Sequence, residues 1–65
     1  MRYSVVAIFQ SKLGKSDACV RFPFETDSLE RGIAIIDYKL NELQRFKDEE
    51  TCVWFVHQVT FQWVE

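Results

Sequence analysis

The stretch DSLERGIAIIDYKLNELQRFK, Asp27–Lys47, decides the fold, because every other segment of the chain is too short or too apolar to stand without it. At about 100° per residue, Leu29, Ile33, Ile36, Leu40 and Leu43 recur at alternating steps of four and three, so all five share one helical stripe. Asp27, followed three residues on by Glu30, reads as a capping box with Asp in place of Ser or Thr. At the far end Arg45 and Lys47 suit the helix dipole, whereas Asp48, Glu49 and Glu50 oppose it. The start is therefore better marked than the stop. Gly32 sits on the border of the stripe and has two readings: a missing side chain that lets a strand approach closely, or a tolerated glycine costing about 1 kcal/mol. Ile35, Tyr38 and Phe46 fall on a flank outside the stripe, together with Lys39 and Glu42.

Upstream of the helix, Arg2–Gln10 reads as a strand in which Tyr3, Val5, Ala7 and Phe9 alternate with Ser4, Val6, Ile8 and Gln10. Both faces are apolar in the middle, the pattern of a central strand covered on two sides. Ser11–Asp17, with Gly14 free to take positive φ, supplies a hairpin loop. Ala18–Phe24 is a second strand, with Ala18, Val20, Phe22 and Phe24 on one face and Cys19, Arg21 and Pro23 on the other. Pro23 lacks a ladder donor and assigns this strand to an edge, or marks its end. Downstream, Thr51–Val64 is a third strand. Strict alternation puts Val53, Phe55, His57, Val59, Phe61 and Trp63 on one face, and Cys52, Trp54, Val56, Gln58, Thr60, Gln62 and Val64 on the other.

These elements predict one α+β domain over residues 1–65: a three-stranded antiparallel sheet in the order 2-1-3, ββαβ connectivity, and one helix packed on one face through a right-handed crossover. Val20, Phe22, Phe24, Phe55, Val59 and Phe61 are expected beneath Leu29, Ile33, Ile36 and Leu40. The reverse face then carries Val6, Ile8, Cys19, Trp54 and Val56 with nothing in the chain left to cover it.

Composition agrees with a packed globule. Of 65 residues 48% are apolar and ten are aromatic, well outside the range of a disordered chain. A domain this small buries only about 60% of the surface of its unfolded chain, so some aromatics stay near solvent or meet a partner. The formal charge of −2 is too small for a general binder of phosphate backbones. Its distribution is uneven: up to Phe24 the bases Arg2, Lys12, Lys15 and Arg21 face Asp17 alone, whereas from Glu25 onward acids outnumber bases nine to four. No apolar run approaches the roughly 18 residues of a membrane span or forms a signal-peptide core. A cytoplasmic location, no membrane contact and reduced thiols at Cys19 and Cys52 are expected. One His and two distant Cys give no metal-ligand spacing, and no cofactor is expected.

Catalytic motifs are weak. Gly14-Lys15-Ser16 resembles the end of a phosphate-binding loop, but the first glycine of that motif would fall at Phe9 and no helix follows Ser16. His57 is the residue an acid-base enzyme would use, yet Cys52 and Thr60 point to the other sheet face, and a Cys52–His57 pair would need a bulge to realign the strand. The acids at 48–50 read as a solvated turn.

The reading is a non-enzymatic protein–protein interaction module of the inhibitor or antitoxin type that viruses and mobile elements encode, acting on a larger enzyme or as a homodimer. Val6, Ile8, Trp54 and Val56 form the expected contact face, with Trp54 as anchor, Ile35 and Tyr38 beside it, and free strand edges as a further route. One alternative is a nucleic-acid module using the basic hairpin Lys12, Lys15 and Arg21. The other is a small enzyme relying on His57.

Overall fold

In the computed structural model, residues 2–13, 16–45 and 53–64 are described, with the side chains at 12, 13, 16 and 17 outside the description. They form β1 (Tyr3–Leu13), β2 (Ser16–Thr26), α1 (Leu29–Arg45) and β3 (Val53–Trp63). The strands make one sheet in the order β2-β1-β3, and both ladders are antiparallel. The α+β architecture and strand order are those the sequence predicts.

β1 is central because its alternation is apolar on both sides. Val5, Ala7, Phe9 and Ser11 are wholly buried beneath the helix, and Val6 and Ile8 on the reverse face are half-buried between the flanking strands. The β1–β2 ladder continues without interruption from Tyr3↔Thr26 to Leu13↔Ser16. Most of the expected Ser11–Asp17 loop is therefore paired strand. Gly14 and Lys15 lie outside the described residues. Pro23 pairs with Val6 on β2, an edge strand, where its missing N–H faces outward at little cost.

The helix starts later than the Asp27–Glu30 pattern indicates. Ser28 is the cap: its Oγ accepts a hydrogen bond from the Arg31 N–H at 3.1 Å, and its carbonyl accepts the first helical bond from Gly32 N at 3.0 Å. Asp27 instead makes an exposed i,i+4 ion pair with Arg31 at 3.6 Å, which contributes little. Thr26, buried at the end of β2, fixes the corner by donating its hydroxyl to the Ser28 carbonyl at 3.0 Å. Arg45 closes the described helix, while Lys47 and the acids at 48–50 lie outside the described residues.

Gly32 determines how the helix sits. A Cβ on Gly32 would meet Phe61 Cε2 at 2.9 Å and Thr26 Cγ2 at 3.2 Å, so the backbone of the first turns rests directly on the sheet. The buried stripe accordingly runs through Gly32 and Ile36, with Leu40 and Leu43 half-buried further along. Leu29 and Ile33, expected in the core, are displaced to the flank and stand 48% and 61% exposed. Under the helix, Val20, Phe22, Phe24, Val59 and Phe61 pack around Val5, Ala7, Phe9 and Ile36 as expected.

β3 departs from strict alternation. Its register with β1 runs from Tyr3↔Trp63 to Ile8↔Gln58, then shifts to Phe9↔Val56, Gln10↔Phe55 and Ser11↔Trp54. His57 is left without a partner on β1: a one-residue bulge. Before it in the chain, over Val53–Val56, the two faces of β3 are exchanged relative to the sequence pattern, because the one extra residue carries these side chains across the sheet.

The close approach at Gly32 sets the sign of a substitution. Gly32→Ala gains about 1 kcal/mol of helix propensity but forces a methyl into the Phe61 ring, an overpacking that costs about 1–3 kcal/mol. The urea midpoint is expected to fall, and a rise would show that the helix does not rest on Phe61.

Candidate interaction surface

Directly opposed residues of neighbouring strands share a face, so the shifted register reassigns the expected contact residues. Trp54 pairs with the buried Ser11 and Val56 pairs with the buried Phe9, which puts both on the helix side of the sheet. Trp54 packs against the core, and Gln44 of the helix donates its Nε2 to the Trp54 carbonyl at 2.8 Å. Val53 and Phe55, opposite Lys12 and Gln10, occupy the reverse face instead. The expected placement of Val6, Ile8, Trp54 and Val56 on one surface is thus corrected: the first two lie on the reverse face, and the last two lie on the helix side.

The reverse face is mixed. Val6 is flanked by Pro23 and Thr60, and Ile8 by Arg21 and Gln58. Polar side chains interrupt the apolar ones there, and Val6 and Ile8 are half-covered by them. Cys19 is exposed on the β2 part of this face.

The helix has two different flanks. On the β2 side, Lys39 Nζ stands 5.4 Å from the centre of the Phe22 ring and 3.4 Å from Glu42 Oε1. Ile35 is half-buried there, and Tyr38 is exposed. On the β3 side, Gln44 reaches Trp54, and Leu29, Ile33 and Leu40 lie along the same flank at helical spacing. Leu29 and Ile33 therefore border the helix-side residues of β3, of which Trp63 is 54% and Val56 37% exposed. Tyr3 holds Trp63 and Phe61 edge-to-face, with centroids 5.4 and 6.5 Å away. An apolar band results, formed by Leu29, Ile33, Val56, Val59, Phe61 and Trp63, along the strand at the sheet margin. Alternation alone could not find this band, because it depends on Gly32 taking the sheet-facing position of the helix in place of Leu29 and Ile33.

The alternative sites are dispersed. Arg21 is exposed on the reverse face opposite Ile8, whereas Lys15 and the Lys12 side chain lie outside the described residues. His57 is exposed at the bulge; the bulge a Cys52–His57 pair requires is present, and Cys52 lies outside the described residues. Among the described residues, no helix is long and apolar enough to cross a membrane. Ser11 Oγ is buried with no hydrogen-bond partner among the described residues, at a cost of about 1–3 kcal/mol. Compared with known proteins, the chain matches no family model, no curated protein and no solved structure.

The reassignment makes Trp54 a core residue. Trp54→Ala is expected to lower stability by about 2–3 kcal/mol, less than for a fully buried ring. Phe55→Ser, on the reverse face, should cost below about 1 kcal/mol. Chemical denaturation of both variants measures this, and the opposite ranking would return Phe55 to the core and Trp54 to the surface.

Proposed function

We propose that this chain is a non-enzymatic protein–protein interaction module that works in the cytoplasm through the helix side of β3. The observation that carries the reading is the exposed apolar band beside a free strand edge. Monomeric proteins seldom leave a contiguous apolar patch bare without using it. Leu29 and Ile33 are large apolar side chains on the helix that stand 48% and 61% exposed. Exposure on this scale costs stability unless a partner covers it.

The β3 edge adds main-chain recognition to the apolar contact. Among the described residues no strand pairs with its outer side, and an extended segment of another chain can add there by hydrogen bonds while its side chains enter the band. A larger enzyme blocked by an inhibitor or antitoxin of this size would be held in that way. Trp63 and Phe61 are the aromatic anchors of such a contact, in place of Trp54.

The test compares capture from the native cell by the parent chain and by a Leu29→Glu/Ile33→Lys variant, with far-UV circular dichroism as the check on fold. A protein recovered by the parent and lost by the variant is the expected result. Equal recovery by both would reject the band as the interaction surface.

A further inference from the structure

The two edges of the sheet are guarded differently. β2 carries Arg21, Pro23 and Glu25 on its outer rows, the charged and proline residues that discourage another strand from pairing. β3, VWFVHQVTFQW, contains no Asp, Glu, Lys, Arg or Pro in eleven residues, and its one irregularity is the bulge at His57. An uncharged edge has a special property when the approaching strand is its own copy. Identical strands laid antiparallel about a twofold axis set residue i opposite residue j and j opposite i, so a strand bearing charges of one sign would repel its copy where this uncharged one does not.

The hydrogen-bonding groups are correctly turned for such pairing. Val64 N donates to the Arg2 carbonyl at 2.9 Å, so this is a hydrogen-bonded pair of the β1–β3 ladder. By antiparallel alternation Gln62 and Thr60 also turn their backbone groups toward β1, and Val59, Phe61 and Trp63 turn theirs outward. The outward amides thus belong to the residues whose side chains form the apolar band. Gly32 sits on Phe61, which places Leu29 and Ile33 over this same half of the strand.

We infer that the occupant of the β3 edge is a second copy of this chain, paired antiparallel through Val59–Trp63 about a twofold axis perpendicular to the sheet. This rests on the interaction reading above and names its partner. The axis makes one six-stranded sheet with both helices on the same side. Leu29 and Ile33 of each copy then close over the seam, against Phe61 and Trp63 of both.

Solution mass and amide exchange of the full chain test this together, over a dilution series through the micromolar range. The expected mass at the concentrated end is twice 7.7 kDa. The amides of Val59, Phe61 and Trp63 should be protected there and lose protection on dilution, while that of Thr60 keeps it. The Leu29→Glu/Ile33→Lys variant should run at half that mass with an unchanged circular dichroism spectrum. A parent at 7.7 kDa throughout overturns the second copy as occupant, and leaves the interaction reading to the capture experiment. A dimer whose Val59, Phe61 and Trp63 amides exchange freely, or a folded double variant that stays dimeric, overturns the β3 seam.

Discussion

One surplus residue in β3, His57, governs what the two sides of this sheet present. β1 pairs with both neighbours, and its buried row of Val5, Ala7, Phe9 and Ser11 must be matched from each side by residues able to lie under the helix. β2 matches it in simple alternation. β3 matches it with Phe61 and Val59 on one side of the bulge and with Val56 and Trp54 on the other. Without the extra residue, Phe55 and Val53 would turn inward, and the Trp54 indole would lie on the opposite surface. The bulge puts the largest side chain of the strand's first half beneath the end of the helix, where Gln44 secures its carbonyl.

The helix answers the same sheet with a close approach at one end. Gly32 lets the first turns settle on Phe61 and Thr26, and Leu29 and Ile33 stand outside the core. Seventeen helical residues span about 25 Å, against about 36 Å for eleven-residue strands, so the helix shields only part of one face. Among the described residues the buried core is correspondingly small: Val5, Ala7, Phe9 and Ile36 are its apolar members. A core of this size leaves stability sensitive to what covers the remaining apolar surface, and this ties the packing of the chain to its association.

Much of the architecture was legible in the residues. The 3.6-residue recurrence in Asp27–Lys47 fixed the helix, the two-sided apolar alternation of Tyr3–Gln10 made β1 central, and Pro23 assigned β2 to an edge. The surface was less legible, for two physical reasons. A bulge leaves no mark in a β-branched and aromatic run such as Val53–Val59, where either alternation is apolar, so the faces of Trp54 and Phe55 were exchanged. Amphipathic periodicity ranks Leu29 and Ile33 as core because it counts side chains and not their absence. A glycine at the point of contact rotates the buried stripe toward itself. The cap shows the same limit on a smaller scale: Asp27 and Ser28 are both good capping residues, and only the turn at Thr26 selects Ser28.

The bulge is tested most directly by proton–proton Overhauser contacts in solution. With His57 unpaired, the Trp54 indole protons should show contacts to the methyl groups of Leu40 and Leu43, and the Phe55 ring should show none to the helix. Contacts from the Phe55 ring to those methyls, with Trp54 showing none, would mean that β3 pairs with β1 in unbroken register and would contradict the account.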